Sequence, residues 1–214
     1  MKVRTEKLSN IIILCLFALI LTPAICNAQQ YSRKGKTEIF GMIQTVDSMD
    51  VKYDYLGWGN IGFEFDSTCI YGIGLGTNAT DHWNLNFDFL YGNTDAKFAV
   101  SGMPTSPYSY STDYFLCDFN VDYNILSDRL TPLVTAGIGV ATIDMKTGYS
   151  GYGYGYSTSA SESNFSYNLG AGGRWDITDN ILIKLIYRVT WTQLEDANDR
   201  QAFSGVALFI AYMF

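Results

Sequence analysis

Residues Phe165 to Trp175 read Phe-Ser-Tyr-Asn-Leu-Gly-Ala-Gly-Gly-Arg-Trp. Phe165, Tyr167, Leu169, Ala171, Gly173 and Trp175 share one face, while Ser166, Asn168, Gly170, Gly172 and Arg174 share the other. A repeat of two is what an extended strand produces, because successive side chains leave opposite sides of the backbone. Three more stretches repeat the pattern. Trp83, Leu85, Phe87, Phe89 and Tyr91 oppose Asn84, Asn86, Asp88, Leu90 and Gly92; Phe115 to Tyr123 alternates with Leu116, Asp118, Asn120, Asp122 and Asn124. Ile181, Ile183, Leu185, Tyr187, Val189 and Trp191 oppose Leu182, Lys184, Ile186, Arg188, Thr190 and Thr192.

Outward from these, Cys69 to Thr77, Val134 to Thr142 and Phe203 to Phe214 alternate oily residues with small or glycine positions, and Thr37 to Val46 supplies an eighth strand whose facing stays open. Short connectors at Asn78 to His82, Ile125 to Thr131 and Asp176 to Asn180 are rich in turn-forming Asn, Asp, Thr and Ser. The other connectors are long: roughly 47–60, 93–112, 144–163 and 193–202. Short and long ends therefore collect on opposite rims. The expected fold is all-β: a closed antiparallel eight-stranded up-and-down barrel.

Which face points outward separates two classes. A soluble lipocalin-like carrier turns its oily face inward around a ligand; a transmembrane β-barrel turns it outward to lipid and closes the ring so that no backbone group is left unpaired. The polar faces carry Asp88, Asp118 and Asp122 against Arg174, Lys184 and Arg188. Matched signs suit pairing in a lumen that side chains fill, so a plugged polar core is expected rather than a pore. Trp83 with Tyr91, Phe115 with Tyr123, and Tyr167 with Trp175 each stand eight residues apart. On a tilted strand that is a rise of roughly 19 Å, near the apolar band of a membrane barrel once the rings' reach is added. With Trp191 they form two expected aromatic girdles.

The first 28 residues read as a cleaved signal peptide: Lys2, Arg4 and Lys7, an apolar core from Ile11 to Leu21, and cleavage after Ala28. A short segment, 29–36, would then precede the barrel at 37–214. No apolar run reaches the roughly 18 to 20 residues of a membrane-spanning helix. The net charge of −7 opposes binding to a phosphate backbone, so no nucleic acid is expected. Of the four cysteines only Cys69 and Cys117 lie outside the leader. A whole strand is expected between them, too far for a bridge.

Over Thr37 to Phe214 the chain resembles the small eight-stranded bacterial outer-membrane barrels, the OmpA-like, OmpX-like and OmpW-like proteins. The resemblance is carried by Gly72 to Trp83 and Asn168 to Asn180, which look like strand–turn–strand units, and by the ending Ile210-Ala211-Tyr212-Met213-Phe214. Ile210, Tyr212 and Phe214 are similar to a terminal assembly signal. The resemblance implies an outer-membrane location, contact with lipid and lipopolysaccharide, and the barrel-assembly machinery as a partner. For function it implies a non-catalytic protein of envelope integrity or surface interaction, with a channel for small apolar solutes as the alternative.

No enzyme is expected. The single histidine, His82, falls on the short-turn rim, away from the external mouth where enzymatic relatives act, and general-base chemistry needs hydrogen-bond reach. No cofactor is expected, and no His or Cys cluster has metal-ligand spacing. Glu195, Asp196 and Asp199 lack the glycine and terminal glutamate of a calcium loop and read as a solvated acidic loop. Residues Thr147 to Tyr156 repeat Gly and Tyr. They read as a mobile surface loop, with Tyr149, Tyr152, Tyr154 and Tyr156 as candidate contacts for an unknown extracellular ligand.

Overall fold

The computed structural model describes residues 31–54, 60–100, 109–151, 154–192 and 201–214. The expected signal peptide lies outside them. The described residues form ten strands: β1 (Thr37–Val46), β2 (Met49–Asp54), β3 (Asn60–Phe65), β4 (Thr68–Asn78), β5 (Trp83–Val100), β6 (Ser109–Asn124), β7 (Leu130–Gly151), β8 (Tyr154–Asp176), β9 (Ile181–Thr192) and β10 (Gln201–Met213).

Eight of them make a closed antiparallel ring. β1 lies between β10 and β4, the sequence-adjacent strands follow in turn, and β5 pairing with β6 closes the circle. Starting at Glu38 and stepping from partner to partner leads through Gly76, Asn86, Asn120, Gly137, Asn168 and Thr190 to Phe203. Phe203 lies beyond the upper end of β1, beside Asp47. The circuit thus climbs about ten residues over eight strands, which sets a strand tilt of roughly 40° and an interior that side chains can fill.

The facing follows the alternation. Phe87 is 40% exposed, Leu185 54% and Tyr212 56%, whereas Asp88, Lys184 and Met213 are buried. An oily exterior around a polar interior is the membrane arrangement and excludes the lipocalin-like one. On β1, whose facing the sequence left open, Glu38, Phe40, Met42 and Gln44 point inward while Ile39, Gly41, Ile43 and Thr45 point outward.

Three expectations about the connectors are corrected. The first long connector is not a plain loop: β2 and β3 form a hairpin within it, and β3 docks on the upper end of β5 through Ile61↔Val100 to Phe65↔Ala96. The stretch read as a mobile Gly/Tyr loop is largely ladder. β7 and β8 stay paired to Gly151↔Tyr154, with Tyr149 opposite Tyr156, while Tyr152 lies outside the described residues. Ser, Thr and Tyr alternate there without proline, so nothing stops two already aligned strands from continuing to pair. β5 and β6 likewise extend to Lys97↔Ser109. The candidates Glu195, Asp196 and Asp199 lie outside the described residues.

Candidate functional site in the barrel lumen

All six charged residues expected inside are buried, and they are ion-paired across the ring. Lys184 reaches Asp122 at 3.0 Å and Glu38 at 3.1 Å. Arg174 binds Glu38 at 2.8 Å and Asp176 at 2.8 Å, and Arg33 binds Asp176 at 2.5 Å. Higher up, Arg188 lies 3.0 Å from Asp88 and 3.8 Å from Asp118. Asparagines share the oxygens that the cations reach: Asn78 donates to Glu38 Oε1, Asn86 to Asp122 Oδ2, and Asn120 to Asp88 Oδ2. Such charges are tolerated without water only when paired and hydrogen-bonded in this way.

Sequence reasoning missed Glu38, Arg33 and Asp176. Glu38 is the one carboxylate of β1, but Gly41 and Thr45 on the opposite face and Gln44 on its own leave the strand's two faces too alike to place it. Arg33 and Asp176 carry no signal either, because one precedes the barrel and the other reads as a turn residue.

Glycines on β7 make room for this network. A Cβ on Gly137 would overlap the Asn120 and Asn168 amides, and one on Gly139 would overlap the Asp118 carboxylate. Above the charges lies an apolar layer of Met42, Ile70, Leu90, Leu116, Phe203 and Phe209. The Phe40 and Phe209 rings meet edge-on at 5.5 Å and receive Lys184 and Arg188 over their faces. Space left between Ile70, Tyr114, Leu116 and Phe203 amounts to about 10 Å³, room for about one water.

The girdle candidates all face outward. Trp83 and Tyr123 pair at 4.7 Å near the short-turn rim, where Trp175 also stands. Tyr91 pairs with Phe115, and Tyr167 stacks on Trp191 at 5.2 Å, at the other level. Tyr71, opposite Tyr91, belongs with them and was missed. Ile210, Tyr212 and Phe214 line up outward along the end of β10, and Phe214 is zipped to Thr37 by two backbone hydrogen bonds.

His82 sits on the short-turn rim, its Nδ1 2.8 Å from the Asn124 carbonyl oxygen and its ring stacked on Tyr123. Cys69 and Cys117 are free and face outward with β5 between their strands. Among the described residues no group of His, Cys, Asp and Glu is arranged to hold a metal ion.

The family model described as outer membrane protein beta-barrel domain matches residues 17–214. No curated protein sequence matches the chain. Among solved structures it is similar to Ail, the attachment invasion locus protein of Yersinia pestis, in complex with the heparin analogue sucrose octasulfate. The identity is 14%, covering 85% of this chain and 99% of that one, with a TM-score of 0.53. It is also similar to the outer membrane protein OprG of Pseudomonas aeruginosa at 13% identity, covering 85% and 97%, with a TM-score of 0.52. At such identities the likeness speaks for the fold. A closed ring, an oily exterior between aromatic levels and a family model spanning nearly the whole chain lead to one conclusion: this is a bacterial outer-membrane protein, a member of the outer membrane protein beta-barrel domain family.

Proposed function

We propose that this barrel is a non-catalytic surface protein of the envelope, whose lumen is a structural core and whose contacts with the outside run through its long strands and loops. The observation that carries this reading is the closed interior. Among the described residues, paired charges fill the lower lumen and buried apolar side chains occupy the part above them. The same layer weighs against the alternative of a channel for small apolar solutes, since its side chains pack on each other rather than lining a passage.

Surface interaction is supported by the β7–β8 hairpin, whose paired arms carry the Gly/Tyr repeat well beyond the upper aromatic level. On this reading lipid and lipopolysaccharide surround the oily exterior, and the aligned Ile210, Tyr212 and Phe214 present the last strand to the barrel-assembly machinery. The single histidine, His82, is engaged on the opposite rim and so cannot serve as general base to an outer-leaflet substrate on this reading. Two experiments test the proposal. In planar bilayers the protein should give no stable conductance steps; regular steps would overturn the closed lumen. Deleting residues 147–156 should lower binding of intact cells to host matrix without changing folded-barrel gel migration, and unchanged binding would refute the role of the hairpin.

A further inference from the structure

The segment just before β1 is more than a leader to the barrel. Arg33 is fully buried at the short-turn end, and its guanidinium reaches three separate parts of the chain. Its Nε binds Asp176 at the end of β8, and its Nη1 donates to the carbonyls of Asp81 at 3.1 Å and Leu126 at 3.3 Å. Its Nη2 donates to the carbonyl of Asp128.

The neighbours of Arg33 repeat the theme. Ser32 Oγ and the Arg33 and Lys34 amides all donate to one oxygen of Asp81, at 2.8, 2.7 and 3.2 Å. Lys36 donates to the Asp179 carbonyl at 3.1 Å. The Tyr31 ring lies against three cations, Arg33, Lys36 and Arg129, at 4.6 to 5.5 Å. Gly35, at φ +80°, makes the sharp turn from this segment into β1, a conformation that other residues rarely adopt.

We infer that Tyr31–Lys36 is a strap that stoppers the periplasmic mouth of the barrel and closes only after the ring has formed. Its contacts lie 48, 93, 95 and 143 residues away in the chain, on all three short turns. Those turns come together only when the ring is complete, so the strap cannot dock earlier. Charge argues for the same role. Arg33 joins Arg174 and Lys184 opposite Asp176, Glu38 and Asp122, so the lower network is balanced only with the strap in place. Directly above Arg33 lie Asp176, Arg174, Asn78 and Met213, the floor of the lumen.

The test reads access to that floor. In the exported protein freed of residues 1–28, and with them of Cys15 and Cys26, a Cys69→Ser, Cys117→Ser background with Met213→Cys puts one buried thiol behind the strap. Folding of each variant is established by the migration of unheated samples, and the thiol is then labelled with a water-soluble maleimide. Arg33→Ala should raise the labelling rate at least about tenfold. Gly35→Val, which strains the strap's turn but keeps every charge, should raise it as well and stands in if Arg33→Ala does not fold. A second measurement crosslinks the strap through Ser32→Cys and Asp81→Cys, without the reporter; the oxidised form should unfold more slowly than the same protein after reduction. Labelling within twofold of the Met213→Cys parent in the folded strap variants would overturn the proposal, as would a crosslink without effect on the unfolding rate.

Discussion

Replacing Lys184 by Met tests whether the lumen is the dry, ion-paired core described above. Lys184 is 2% exposed and reaches Asp122, Glu38 and the Asn84 side-chain Oδ1 within 3.2 Å. Removing its charge leaves Asp122 to Asn86 alone, while Glu38 keeps Arg174. Breaking a buried pair by deleting one partner costs about 3 to 5 kcal/mol, because the surviving charge stays buried. With a urea dependence of about 2 kcal/mol per molar, the unfolding midpoint should fall by roughly 1.5 to 2.5 M. The assay is equilibrium unfolding from lipid vesicles, followed by the fluorescence of the tryptophans. Lys184→Met with Asp122→Leu removes both members of one pair and should recover more than half of the loss. A single-variant shift below about 0.5 M, with no difference between single and double replacement, would mean that water reaches Asp122 freely, and the closed-lumen argument would fail with it.

Further predictions concern the lipid face, the interior glycines and acid. Ala171 faces outward midway between Tyr167 and Trp175, so Ala171→Arg should cost about 2 to 4 kcal/mol, whereas Ser161→Arg, beyond the upper aromatic level, should cost about 1 or less in the same titration. Equal costs would contradict the assigned membrane band. Gly137→Ala should destabilise by about 1 to 3 kcal/mol, because its methyl would displace the Asn120 amide from Asp88; a neutral result would show that the lumen relaxes easily. Asp81 is slightly penalised by burial, yet hydrogen bonds from Ser32, Arg33 and Lys34 hold its carboxyl below the usual range. Its contribution is therefore present above about pH 3.9 and is lost as the pH falls toward its lower folded value. The labelling rate at Met213→Cys, divided by that of a free thiol at the same pH because only the thiolate reacts, should rise across that acid window in the parent and lose the rise in Asp81→Asn. Tyr31, pushed up to about 12 by burial and the nearby Asp176, should leave the labelling rate unchanged relative to a free thiol through mildly alkaline pH.

Much of the fold was legible because lipid and lumen make opposite demands on alternate residues. β9 (Ile181–Thr192) shows an uninterrupted oily row, and its ends agree with the alternation to the residue. Where both faces are mixed the rule has nothing to grip. β1 offers Glu38, Phe40, Met42 and Gln44 against Ile39, Gly41, Ile43 and Thr45, and only pairing on both sides turns Glu38 inward. The upper strands were read as loops because polar alternation in β7 and β8 no longer meets lipid, so no hydrophobic contrast marks them. Leu90, Leu116 and Ile186 sat on the polar faces without a role in the pattern. In the ring Leu90 and Leu116 join the apolar layer above the charges, and Ile186 is buried between Lys184 and Arg188.

Alternation along the chain determined the strands and their two faces, and matched charges on one face with aromatic spacing on the other determined the outward oily face and most interior charges, since each depends on which side of its own strand a residue leaves. Which charge meets which was decided only by the tertiary structure. Lys184 finds Asp122 across 62 residues and Arg33 finds Asp176 across 143, partnerships that arise from the stagger at which the ring closes. That stagger is a property of all eight strands together, and no single strand's pattern contains it.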